Sequence, residues 1–308
     1  YERTGRVRAL MKFTRMPWSA ALADAARVGV GSPPPGADLE VLSEGLANHR
    51  VVYRYISPSS CAVVEGCVSG TGWRRLLKFD ASVRNVGLGA MHVGDIDALA
   101  THNLFEYSAC HGHDHFRFYG DFSYGSLPGE KRAFCLVSSQ RYLNNETTPT
   151  HSPYYGCAYQ GISSGWGDDY IAGLECQWVD VTGLSSPPGW LTDSLTFSVN
   201  PDGFLCEGTP VLDPNGGPTF EPTAFVTEQG DPVDRPVCDY AMNYEDNNTQ
   251  SLAVPLPSDG SFVTAACQRG QLGPLRDCGF SSNEGPSPCL AGQPVSMTCT
   301  LPPLAAPQ

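Results

Sequence analysis

Twelve cysteines are spread through the 308 residues, and no two of them form a CxxC pair. An even number at wide spacing is the mark of a disulfide framework built in an oxidising compartment. CxxC spacing would instead point to zinc ribbons or thioredoxin-type thiols. A processed, secreted chain is therefore expected. Tyr1 is not followed by an apolar leader, and no run is long enough to span a bilayer. Two sequons, Asn145-Glu146-Thr147 and Asn247-Asn248-Thr249, would accept N-glycans in a eukaryotic secretory pathway.

Local patterning places strands on that framework. Short apolar or alternating runs sit between Gly, Pro, Ser and Asn clusters at Val51–Tyr55, Leu76–Val86, Ala133–Val137, Gln177–Val181 and Leu195–Val199. Many short strands with frequent turn signals predict an all-β protein, a disulfide-stapled β-sandwich with long loops and little helix. Residues 1–37 read as an N-terminal segment, helical over Val7–Val28 and closed by the linker Ser32-Pro33-Pro34-Pro35-Gly36. Residues 38–256 form the main domain, with a Pro- and Gly-rich insertion at about 207–237 whose base Cys206 and Cys238 are placed to staple. Residues 257–308 are a tail carrying Cys267, Cys278, Cys289 and Cys299, which arithmetic alone cannot pair.

Charge narrows the partners. The chain holds 19 basic and 32 acidic residues. Setting aside the six cationic and two acidic residues of the first thirty leaves 13 basic against 30 acidic, a net of −17. Phosphate binding needs basic patches, so nucleic acid is not an expected partner. An acidic body raises the encounter rate of cationic partners at low salt, and it also serves plain solubility.

The chemistry is concentrated in His111-Gly112-His113-Asp114-His115, directly after Cys110. If Phe105–Phe122 is one strand, residues two apart share a face, and three imidazoles converge on one metal ion with coordination positions left open. Imidazole suits copper, zinc, iron and nickel alike, so the pattern does not name the metal.

These residues stand within a longer series of landmarks. Cys61 and Cys67 come first, then Leu76-Leu77-Lys78-Phe79 and Val83-Arg84-Asn85-Val86-Gly87. Phe105–His115 follows, then Lys131-Arg132-Ala133-Phe134-Cys135-Leu136 and Gly161-Ile162-Ser163 through Tyr170. Cys176-Gln177-Trp178-Val179-Asp180-Val181-Thr182 and Ser198-Val199-Asn200-Pro201 complete it. In order and spacing the series resembles the lysyl oxidase catalytic domain, from about Asp38 to Asn248. The resemblance implies copper(II) on His111, His113 and His115. It also implies the cofactor lysine tyrosylquinone, made from Lys131 and Tyr170, with disulfides Cys61–Cys110, Cys67–Cys176 and Cys135–Cys157. Gln140-Arg141 and Trp166 stand where a further pair of family cysteines is expected.

The activity implied is oxidation of peptidyl-lysine amines to aldehydes in lysine-bearing extracellular proteins. Cross-linking to the oxidised ring needs a neutral Lys131 amine, which a desolvated, metal-adjacent pocket favours. The family's histidine just beyond the copper block is absent. Asp121-Phe122-Ser123-Tyr124 aligns there, which makes Asp121 the candidate general base. Two other readings remain. One is a catalytically silent structural module of an extracellular or cell-surface assembly. The other is a zinc hydrolase, which explains the histidines and leaves Lys131 and Tyr170 unexplained.

Overall fold

The computed structural model describes residues 35–184, 191–239 and 247–256. The expected helix at Val7–Val28 and the four tail cysteines lie outside those residues. In chain order come strand β1 (Leu39–Leu42), helix α1 (Ser43–Ala47), β2 (His49–Ile56), helix α2 (Cys61–Val64), β3 (Gly72–Phe79), β4 (Ala81–Asn85) and β5 (Met91–Asp95). A 3-10 turn at Ala100–His102 precedes β6 (Phe105–Ser108), β7 (His113–Phe116), β8 (Gly120–Tyr124) and β9 (Leu127–Pro128). Next are β10 (Gln140–Arg141), β11 (Tyr159–Ile162), β12 (Trp166–Tyr170), β13 (Trp178–Asp180) and β14 (Leu191–Val199). The series closes with β15 (Thr209–Pro210), β16 (Phe220–Val226), β17 (Pro232–Pro236), β18 (Cys238–Asp239) and β19 (Thr249–Leu256). The protein is all-β with little helix, as the sequence led us to expect.

The sheets are antiparallel and small. Their strand orders are β1-β4-β12-β10, β19-β14-β8-β9, β13-β3-β2, and the pairs β11-β5, β6-β7, β15-β18 and β16-β17. Period-2 alternation explains the second of these. Leu195, Phe197 and Val199 of β14 point into the core, while Thr196 and Ser198 point out and meet the hydroxyls of Ser251 and Thr249 at 2.8 Å. On the neighbouring strand Phe122 and Tyr124 are buried. Gly120 lies where a Cβ would come within 2.6 Å of the Phe197 ring, so only glycine lets β8 and β14 approach. Sheet β13-β3-β2 is covered on both faces. Leu77, Val51 and Val179 join the main core, whereas Leu76, Ile56 and Trp178 form a second cluster around the Cys67–Cys176 disulfide. Double burial accounts for the adjacent leucines Leu76 and Leu77 and for the unbroken buried run Arg75–Phe79 in β3.

Four disulfides staple the described residues: Cys61–Cys110, Cys67–Cys176, Cys135–Cys157 and Cys206–Cys238. The first three are the pairs that the resemblance implies. The fourth joins the two ends of segment 207–237, within which β16 and β17 form a hairpin.

Three strand expectations need correction. Leu76–Val86 is not one strand but parts of β3 and β4, which lie on either side of Asp80 and in different sheets. Phe105–Phe122 is not one strand but the hairpin β6–β7 followed by the start of β8, because Gly112 turns the chain at φ 74°. Ala133–Val137 forms a single bridge, Phe134 with Phe116. Its next amides are bound by side chains: Leu136 N–H donates to Gln160 Oε1 (3.0 Å) and Val137 N–H to Asp168 Oδ2 (3.2 Å). Those bonds satisfy the backbone without a ladder.

Candidate metal and amine site

Hairpin β6–β7 sets the histidines. Register pairs Ser108 with His113 and Glu106 with His115, so His113 and His115 share one face of β7. His111 is in the connecting turn and reaches the same point from the side. That turn is fixed twice: Gly112 N–H donates to Ser108 O (2.8 Å), and Cys110 is bonded to Cys61 on α2. His111 Nδ1 lies 3.2 Å from His115 Nε2, and His113 Nε2 lies 3.1 Å from the same nitrogen. The three rings grade from exposed His111 to buried His115, which leaves one open side. The three histidines thus converge by a turn and a strand rather than by one alternating strand.

The donor set fits a metal ion. Three imidazole nitrogens facing one another repel unless a proton or a cation stands between them. Burial, reinforced by the Lys131 charge, pushes the His115 pKa down to about 3, and burial followed by Lys131 also lowers that of His111. Neutral imidazoles are what coordination requires. A second cluster, Glu65 with Cys67 and Cys176, is not a comparable site because both sulfurs belong to one disulfide.

Lys131 is buried beside this triad. Bridge Phe134–Phe116 sets the strand end of β7 against the segment that follows Lys131, and the amine is near enough for its charge to act on His111 and His115. Its Nζ donates to Glu65 Oε2 at 3.3 Å and sits 5.2 Å from the Phe134 ring centre. Burial lowers its pKa, opposed by Glu65, Glu106 and Glu175.

Glu65 was not singled out from the sequence. It follows α2 at the C-cap, between the two disulfide-bonded cysteines Cys61 and Cys67. Its Oε1 accepts from the Ser108 hydroxyl, and its Oε2 lies 3.9 Å from His111 Nε2. Burial pushes its pKa up, but the Ser108 bond and the charges of Lys131 and His111 outweigh that and hold the carboxyl below its ordinary range. The available signal was a carboxylate locked between two stapled cysteines.

Tyr170 ends β12, opposite Ala81 of β4. Its hydroxyl donates to the Cys135 carbonyl, and its ring packs edge-on against Phe134 with centroids 4.5 Å apart. Phe134 is therefore the wall shared by the lysine amine and the tyrosine ring. Behind it Tyr119 is fully buried, its ring centre 5.8 Å from that of Tyr170, and its hydroxyl has no hydrogen-bond partner among the described residues. Burial first, then the Asp168 charge, raises the pKa of both phenols, and burial raises that of Asp168 itself. Asp121 lies on β8. Its partner is Arg132, at 3.3 Å, which also bonds Asp202.

Fold and site together define a disulfide-stapled, all-β protein with a three-histidine metal-type centre beside a buried lysine and a packed tyrosine. The lysyl oxidase family model matches residues 54–209, half of the chain and all of these side chains. The chain belongs to the lysyl oxidase family. It is 31% identical over 160 residues to lysyl oxidase homolog 3B of Danio rerio, covering 46% of this chain and 18% of that protein. It is 27% identical over 224 residues to human lysyl oxidase homolog 1, covering 57% and 36%. Human lysyl oxidase homolog 3 is 30% identical over 160 residues, covering 46% and 19%. The chain thus spans between about a fifth and a third of the length of these relatives. The family comprises copper-dependent extracellular amine oxidases that use lysine tyrosylquinone. No helix among the described residues is long and apolar enough to cross a membrane.

Proposed function

We propose that this protein is a secreted copper- and lysine tyrosylquinone-dependent oxidase that converts peptidyl-lysine amines of extracellular proteins to aldehydes. The observation that carries the reading is the convergence of three imidazole nitrogens at 3.1 and 3.2 Å above a buried lysine amine, with Tyr170 on the far side of Phe134. Three nitrogen donors with an open side suit copper(II), and His111, His113 and His115 would hold it. Lys131 and Tyr170 would supply the organic cofactor. When bound, the copper and the quinone provide dioxygen chemistry and an electrophilic carbonyl that side chains alone lack.

The chain's own residues do the remainder. Burial of Lys131 favours its neutral, nucleophilic form, and Glu65 restrains it until it is needed. The raised phenol pKa keeps Tyr170 protonated, donating to Cys135 O. Glu65, Glu106 and Glu175 all act on the Lys131 charge, so the site lies in a negative field that draws a substrate ammonium inward. Asp121 is turned to Arg132, so it would serve as base only after that ion pair opens.

The Lys131 and Tyr170 pairings also favour a second reading, a silent structural module, because each polar head is already satisfied by another partner. Peptide-mapped mass spectrometry of copper-loaded, aerobic protein separates the two. A Lys131–Tyr170 cross-linked peptide with amine-dependent peroxide release, both abolished by Lys131→Arg, is the expected result. Both peptides free and no peroxide would establish the silent module instead.

A further inference from the structure

One carboxylate touches both halves of this site. Glu65 Oε2 is 3.3 Å from Lys131 Nζ and 3.9 Å from His111 Nε2, while His111 uses its other nitrogen, Nδ1, toward the triad. Oε1 is held by the Ser108 hydroxyl, and Ser108 Oγ in turn accepts the His111 backbone N–H at 3.1 Å. The carboxylate has little freedom. Its backbone N–H is bound to Cys61 O at 2.9 Å, and disulfides on either side anchor it to Cys110, next to His111, and to Cys176. At 3.9 Å the contact with His111 Nε2 is a charge contact, longer than a hydrogen bond, and a small ring movement would close it. A carboxylate hydrogen-bonded to the outer nitrogen of a metal-binding imidazole fixes ring orientation and tautomer, and its loss typically costs about 10- to 100-fold in metal affinity.

We propose that Glu65 is a positioning residue that bridges the metal ligand His111 and the cofactor lysine Lys131, so that metal retention and lysine reactivity are set by one side chain. The inference rests on the copper reading of the three histidines given above. It assigns Glu65 no contact with substrate. Its carboxylate orients His111 through Nε2 and pins the Lys131 ammonium through the ion pair.

The test compares wild-type protein with Glu65→Gln, which keeps the size of the side chain and an acceptor for Ser108. Zinc(II) serves as probe because it has no redox chemistry and cannot drive cofactor formation; His113→Ala identifies binding at the histidines. Glu65→Gln should weaken zinc binding by about 10- to 100-fold. The second readout is acetylation of zinc-free protein, followed by peptide mapping. The chain has only three lysines, so Lys131 is read against Lys78, which is also buried and sits 4.9 Å from the Trp178 ring centre. Loss of the ion pair should speed Lys131 acetylation several-fold and leave Lys78 unchanged. Faster reaction at both lysines would report general loosening and overturn the bridge, as would zinc affinity within two-fold of wild type or an unchanged Lys131 rate. If wild-type protein binds neither zinc nor copper at the histidines, the copper reading fails first and the bridge falls with it.

Discussion

Single side chains in this protein are placed where their charge state is forced by burial, and Asp168 is the sharpest case. It is 2% exposed, accepts only from backbone amides in the described contacts, and lies beside Tyr170. Burial raises its pKa well above 3.8. A carboxyl whose folded pKa exceeds its unfolded value binds more protons in the native state. Its contribution to stability is therefore fully present below about pH 3.8 and is lost as pH rises through the folded value. Asp168→Asn keeps an acceptor for Val137 N–H and never ionises. Relative to wild type it should be equally stable in acid and progressively more stable as pH increases, measured by urea unfolding across a pH series. Parallel curves for the two proteins would show that Asp168 has the same pKa folded and unfolded, and would overturn the burial argument. The sequence displayed Lys131, Tyr170 and the histidines because their types and order are diagnostic. It hid Asp168, Glu65 and Tyr119, since an acid or phenol gains its role from burial and neighbours that adjacent residues do not reveal.

Elements decide how the triad is assembled. Alternation along one strand was the simplest way to bring three histidines together, and it is how the sequence read. The structure uses β7 for two of them and the turn of the β6–β7 hairpin for the third, with Cys61–Cys110 holding that turn to α2. The difference was not legible because Gly112 permits both an extended path and its φ of 74°, and the choice is fixed by the bond to Ser108 O and the disulfide to Cys61, neither of which the local pattern reveals. Conversely, Leu195–Val199 was readable within β14, as its alternation is local. The disulfide thereby acquires two measurable effects. Replacing Cys61 and Cys110 together with Ser opens a crosslink of sequence separation 49, worth about 4 kcal/mol on a chain-entropy scale. It should also weaken zinc binding, because His111 is no longer held against its partners. Replacing Cys206 and Cys238 opens a separation of 32 and should cost about 3 to 4 kcal/mol with no change in zinc affinity, since that bond serves the insertion. Chemical denaturation and zinc titration of both double variants check the pair. Equal zinc affinity in the two would mean that the hairpin holds its turn unaided.

Across the whole molecule the disparity of charge is the property that a substrate meets first. The chain carries a net −13, and the acidic groups Glu65, Glu106 and Glu175 act on the Lys131 amine at its centre. Composition made the overall sign plain, but it could not show that part of this charge gathers around Lys131, because these three acids come from the C-cap of α2, from β6 and from the loop before β13. A negative field around an amine-binding site accelerates encounter with polycations more than with monocations, because the steering energy scales with the charge of the incoming molecule. Salt shortens the reach of that field, to about 10 Å at 0.1 M and about 3 Å at 1 M. For the oxidase proposed here, kcat/KM toward a lysine-rich polypeptide should therefore fall several-fold between low and high salt. The value for a small monoamine should change far less, and kcat for both should stay nearly constant, since salt acts on encounter and not on the bound complex. Initial rates of peroxide release over a salt series measure all three. A polypeptide and a monoamine with the same salt dependence would remove the acidic body from substrate selection and leave its charge to solubility.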